Sequence, residues 1–189
     1  MFDNPLSLLI PERIEIINKI ESKKCAFDLL TELLAKDQNE VGKNEIFDAL
    51  ITREKLGKTC SGHGIAIPRA HIEISKPLAA LLIIKKGLEI ETVDKKPIKL
   101  FLALIVPENQ SKKYSNIIKK LNFILADDDH HKVLIESDKP EDIAIYFESL
   151  LNEAMKDDVV EEKKVEDKVV ENEAVANITT ENKTTGDDK

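Results

Sequence analysis

The residues best equipped for chemistry lie together in Gly62-His63-Gly64-Ile65-Ala66-Ile67-Pro68-Arg69-Ala70-His71. Two glycines supply backbone that can turn sharply and approach other groups closely. Ile65-Ala66-Ile67 predicts a short buried strand that Pro68 ends. Arg69 and His71 come next, two residues apart. On an extended chain they point to one side, roughly 6–7 Å apart along the strand. An arginine beside a histidine at a strand end suits an anion or a phosphoryl group. The competing reading is a plain turn, with His71 a solvated loop residue.

The rest of the chain must position that stretch. Arg13-Ile14-Glu15-Ile16-Ile17 predicts a first strand. After Ser22, the apolar residues Ala26, Leu29, Leu30, Leu33 and Leu34 recur with helical spacing. Asn44 reads as the cap of a second helix with apolar face Ile46, Phe47, Leu50 and Ile51, stopped at Gly57. Its end carries Arg53, either as a favourable charge at a helix C-terminus or as a neighbour of Arg69 and His71 in space. Residues 78–84 and 99–106 are continuous apolar runs, as in strands covered on both faces. Gly87 and the stretch from Asp94 to Pro97 read as turns between them. Helical spacing returns at Ile117, Ile118, Leu121, Ile124 and Leu125, then around residues 132–136. A last helix starts near Asp138 and buries Ile143, Phe147, Leu150 and Leu151. The expected fold is α/β (α+β): one domain with a mixed β-sheet flanked by helices on both faces.

The 189 residues suit one domain over residues 5–151 followed by a disordered acidic tail over 152–189. Residues 153–189 hold 12 acidic and 6 basic side chains, which accounts for most of the net charge of −8. The remainder is close to neutral, so nucleic acid is not an expected partner. No run is long enough to enter a membrane directly. The Leu6–Ile10 segment lacks a basic flank and is bracketed by Pro5 and Pro11, so it predicts packed chain rather than a signal. Cys25 and Cys60 form no disulfide framework, and the expected compartment is the cytoplasm. Asp127-Asp128-Asp129-His130-His131 has metal-ligand residue types, but adjacent residues rarely converge on one ion. A solvated interhelical turn with a capping aspartate is expected there, with no metal. Gly62-His63-Gly64 lacks the pattern of a nucleotide-binding loop, and no cofactor is called for.

Thr52-Arg53-Glu54-Lys55-Leu56-Gly57, a short spacer, and Gly62-His63-Gly64-Ile65-Ala66-Ile67-Pro68 together resemble the signature of the fructose/mannitol-type enzyme IIA domain (EIIA type 2). That domain belongs to the bacterial phosphoenolpyruvate-dependent phosphotransferase system, and the chain is most similar to its nitrogen-regulatory branch. Leu102–Pro107 followed by Gln110, and Ser22-Lys23-Lys24, support the same resemblance. It implies a mixed sheet flanked by helices and a phosphoryl relay in which a histidine phosphocarrier protein donates to a histidine of IIA. It also implies regulated target proteins such as transporters or kinases as partners.

The resemblance places the acceptor directly after the Ile-Pro pair, where this chain has Arg69. A guanidinium stays protonated and is no nucleophile. A second family histidine corresponds to Tyr114, and the family arginine is kept as Arg53. Three functions are therefore expected as alternatives: regulation by protein contact without phosphorylation; a phosphocarrier using His71 as a displaced acceptor; or a small-anion sensor built on Arg53, Arg69 and Tyr114. His63, at the turn, is expected to support the site from behind.

Overall fold

The computed structural model describes residues 8–57, 59–92 and 94–153. The expected acidic tail lies, from residue 154 onward, outside the described residues. The chain divides into Met1–Asn152 and Glu153–Lys189, and the sheet and its helices belong to the first unit.

Among the described residues, six strands form one mixed sheet. They are β1 (Ile14–Ile17), β2 (Cys60–Gly62), β3 (Ile65–Ala66), β4 (Arg69–Ile72), β5 (Leu78–Leu88) and β6 (Ile98–Pro107). The order is β1-β5-β6-β3-β2, and β4 pairs with β6 beyond β3. β5 and β6 run antiparallel, whereas β1 lies parallel to β5, and β3 and β4 lie parallel to β6. The two long central strands are the continuous apolar runs of the sequence, and nearly every residue in them is buried. Such strands need cover on both faces.

Five helices supply that cover: α1 (Lys23–Ala35), α2 (Lys43–Lys55), α3 (Ser111–Ala126), α4 (Asp128–Glu136) and α5 over 140–153. One core joins Phe27, Leu30 and Leu34 of α1 and Ile46 and Leu50 of α2 to Ala80, Leu82, Phe101 and Ala103 of the sheet. The other joins Leu121 and Leu125 of α3, Leu134 of α4 and Ile143 and Phe147 of α5 to Leu81, Ile83, Leu100 and Leu102. Alternate residues of β5 and β6 therefore feed opposite cores, which is the period-2 rule of a strand applied to a two-sided sheet. The expected α/β fold, a mixed sheet with helices on both faces, is the observed one. Leu8 and Leu9 are buried in the second core, and the Leu8 carbonyl accepts from the Ala79 amide at 3.0 Å.

Several local expectations need correction. Ser22 does cap α1, accepting from the Cys25 amide at 3.2 Å. Asn44, however, lies inside α2, and its N-cap is Gly42, which offers no side-chain bond. Gly87 is not a turn but a positive-φ position within β5, where the register with β6 shifts between Ile83 and Leu88. A glycine at such a bulge lets the strand bend without ending. The Asp127–His131 run is not wholly solvated. Asp127 caps α4, accepting from the amides of Asp129 and His130, but His131 is buried.

Candidate functional site

The stretch from Gly62 to His71 runs along one side of β6. Gly62, His63 and Gly64 take φ values of 86°, 56° and 74°, turning β2 back into β3. The Gly64 carbonyl accepts from the amides of both Lys99 (2.9 Å) and Leu100 (3.2 Å). Ile65 and Ala66 then pair with Leu100 and Phe101. Pro68 was expected to end the strand; instead it interrupts it. Proline has no N–H to give, but its carbonyl accepts from the Leu104 amide at 2.9 Å. Pairing resumes with Arg69 opposite Leu104 and His71 opposite Val106. The core strand β6 thus fixes the register of both Arg69 and His71. They alternate with the buried Ala70 and Ile72, as an extended strand requires.

Helix α2 forms the other wall. Glu45, Asp48, Ala49, Thr52, Arg53 and Leu56, spaced at helical intervals, line an open groove of about 680 Å³ with Ala70 and His71. Along α2, Glu45 and Asp48 line one end of the groove and Arg53 the other. The small side chains of Ala49 and Ala70 keep its middle open. Arg53 is oriented by the chain that succeeds its helix: its Nη1 donates to the Gly57 carbonyl at 3.2 Å. Leu56 projects beside it, 81% exposed.

Arg69 is half-buried, and burial lowers its affinity for a proton. The charge of Arg53 lowers it further, and Glu54 opposes both. Glu54 is already committed elsewhere. It pairs with Lys23 and accepts from the amide of Thr59 (3.1 Å) and from the Thr59 hydroxyl. Among the described residues, the Arg69 side chain makes no hydrogen bond or ion pair. Arg53 lines the groove, whereas Arg69 is not among its lining residues.

The other expected site residues lie differently. His71 is exposed and lines the groove. Tyr114 stands half-buried in the first turn of α3, just beyond the Pro107 end of β6. His63 sits exposed at the glycine turn, not on the groove, and its amide donates to Asp94 Oδ2 at 2.6 Å. Its charge bears instead on His131, whose Nε2 is buried without a partner among the described residues. Burial, Lys99, Lys96 and His63 all depress the His131 pKa, and Asp128 opposes them. Residue types alone do not mark Thr52 or Leu56 as groove residues, and they mark His131 only as a ligand type in a solvated turn. Helical spacing finds Leu56 three residues from Arg53 and Thr52 four from Leu56, and the interval from His131 to the buried Leu134 shows that histidine turned inward. No group of three His, Cys, Asp or Glu side chains suited to a metal ion occurs among the described residues. No described helix is long and apolar enough to cross a membrane.

The family model for the phosphoenolpyruvate-dependent sugar phosphotransferase system, EIIA 2, matches residues 7–150. The chain belongs to this EIIA type 2 family. Its relatives place it in the nitrogen-regulatory branch. The nitrogen regulatory protein homolog of Haemophilus influenzae is 32% identical over 145 residues, covering 75% of this chain and 88% of that one. The crystal structure of nitrogen regulatory protein IIA-Ntr from Neisseria meningitidis superposes with a TM-score of 0.69 at 25% identity, over 75% of this chain and 97% of that one. The Escherichia coli mannitol enzyme IIA, solved as a complex with phosphorylated enzyme IIB, shares the fold with a TM-score of 0.55 at 22% identity, over 76% and 96% of the two chains.

Proposed function

We propose that this EIIA type 2 protein regulates partners by protein–protein contact and takes no phosphoryl group at the position the family signature assigns to the acceptor. The observation that carries the reading is Arg69 directly after Ile67-Pro68, held in register on β6 beside Arg53. The guanidinium has no lone pair free for attack on phosphorus. Its permanent charge imitates a fixed state of a site that relatives would switch. Tyr114, at the second signature position, offers a hydroxyl donor rather than an imidazole base. Leu56 and the bipolar groove beside it supply apolar and charged contacts for a partner. The partner class is another component of the phosphotransferase system or a target such as a transporter or kinase, and the compartment consistent with this role is the cytoplasm.

A second reading has His71 as a displaced acceptor, and one observation favours it: His71 is exposed on the groove that Arg53 also lines. It stands one strand repeat beyond the signature position, however, and in-line transfer tolerates displacements of only about 1 Å before losing roughly 100-fold. The test is to incubate the purified chain with phosphoenolpyruvate and the upstream relay proteins, and to map phosphate without exposure to acid. No phosphohistidine is expected. Phosphate on His71 that disappears in His71→Ala would overturn the first reading and establish the second.

A further inference from the structure

We infer that His131 is a proton-operated latch: neutral, it holds α4 against the glycine turn; charged, it releases that turn. The inference is independent of whether the chain takes a phosphoryl group.

The backbone fixes where the ring lies. The His131 amide donates to the Asp127 carbonyl at 2.9 Å, in the first turn of α4. From there the ring meets the glycine turn: a Cβ built on Gly64 would stand 3.3 Å from His131 Cε1 and 3.1 Å from the Pro97 carbonyl oxygen. A residue without a Cβ lets helix, turn and Pro97 approach this closely. His131 is 9% exposed, and its Nε2 is buried without a partner among the described residues. The Gly64 carbonyl is already taken by the Lys99 and Leu100 amides.

A neutral imidazole is tolerated in this place, because the tautomer protonated at Nδ1 leaves Nε2 a bare acceptor. The imidazolium is not. Both of its nitrogens carry protons, so Nε2 becomes a buried charged donor with nothing to receive it. The surroundings act in the same direction. Burial opposes the charged form first, then Lys99 of β6, Lys96 in the loop before it and His63 at the glycine turn, while Asp128 of α4 favours it. A side chain in the first turn of α4 also faces the positive end of the helix dipole. Asp94, in the loop with Lys96, is committed to the amides of His63 (2.6 Å) and Lys96 (3.3 Å). On the α5 side, the Tyr146 hydroxyl is engaged by His130 Nδ1 at 2.8 Å.

Release has a defined consequence. The bonds from the Gly64 carbonyl to the Lys99 and Leu100 amides join the turn to β6, and Ile65 opens β3 directly afterwards. Withdrawing His131 removes one wall of the turn and loosens the chain that leads through Pro68 to Arg69. The closed form refuses a proton that the open form accepts. The balance therefore moves toward the open form by up to about tenfold per pH unit, from about pH 6.5 down to the pKa of the closed form.

The experiment follows amide hydrogen exchange of the full-length chain by NMR from about pH 5 to 8, corrected for the intrinsic pH dependence of exchange, together with the ring resonances of His131. Protection of the Lys99 and Leu100 amides should fall by up to about tenfold per pH unit below about pH 6.5. In low urea their exchange should hardly change, as for a local opening, whereas exchange of Leu30 in α1 should quicken. His131→Leu should abolish the pH dependence, and His130→Gln should keep it. Lys99→Gln removes the strongest of the charges opposing the imidazolium. It should raise the pH at which the ring titrates and shrink the loss of protection, and it decides the matter if His131→Leu does not fold. Four results would each overturn the inference: protection independent of pH at both amides, the same loss in folded His131→Leu, an unmoved ring titration in Lys99→Gln, or a urea dependence matching that of Leu30.

Discussion

Gly64 offers the sharpest mutational test of how the fold holds the site. Its φ of 74° lies in the left-handed region, and a Cβ built there would stand 3.1 Å from the Pro97 carbonyl oxygen and 3.3 Å from His131 Cε1. The left-handed conformation alone costs a residue with a Cβ about 1–2 kcal/mol. Reduced freedom of the unfolded chain returns roughly 0.4–1 kcal/mol of that. The close contacts then decide the sign. Gly64 cannot retreat from Pro97 without loosening its bonds to the Lys99 and Leu100 amides, and the ring of His131 is itself buried. Overpacking at such a position adds about 1–3 kcal/mol, so Gly64→Ala should lose about 1–4.5 kcal/mol in all. For a chain of this size that lowers the melting temperature by about 2–4 °C per kcal/mol. Thermal unfolding followed by far-UV circular dichroism measures it. Gly57→Ala is the control: its nearest contact is Arg53 Nη1 at 3.8 Å, with no positive φ, so its melting temperature should stay close to that of the wild type. Equal melting temperatures for Gly64→Ala and the wild type would refute the reasoning.

Groups around the site give two further expected outcomes. The folded-state pKa of His131 is depressed, so below its unfolded value of about 6.5 the unfolded chain binds a proton that the folded chain refuses. Its contribution is therefore fully present above about pH 6.5 and is lost as pH falls from there through the folded value; urea midpoints should decline more steeply below that pH for the wild type than for His131→Leu, and parallel declines would contradict this. Glu54→Ala should strand the buried Thr59 amide and remove the partner of Lys23, costing about 1–3 kcal/mol in denaturant unfolding, and an unchanged midpoint would show that the Glu54 network contributes nothing.

Most of the scaffold was legible because its signals are local. The spacing of Ala26, Leu30, Leu33 and Leu34 gives the buried face of α1, and the unbroken apolar runs give β5 and β6. What was not legible depends on distant partners. Gly87 reads as punctuation until β6 supplies the register shift that makes it a bulge. Pro68 reads as a stop until Leu104 is found bonding to its carbonyl, with β4 continuing beyond. Asn44 is the better capping residue by type, yet the helix begins earlier, at Lys43 after Gly42. For the site, sequence named Arg53, Arg69 and His71, and β6 pairing together with α2 packing brings them to one region. It did not disclose that Glu54 is occupied by Lys23 and Thr59.

The central claim is that this chain takes no phosphoryl group at the position where Arg69 follows Ile67-Pro68. The most direct measurement is the fraction of chains carrying covalent phosphate after reaction with phosphoenolpyruvate and the relay proteins, read by intact-mass spectrometry at neutral pH. A relative with histidine directly after the Ile-Pro pair serves as the control in the same reaction. The account predicts that the control becomes phosphorylated while the wild-type chain remains unmodified. Comparable labelling of the wild-type chain would contradict it.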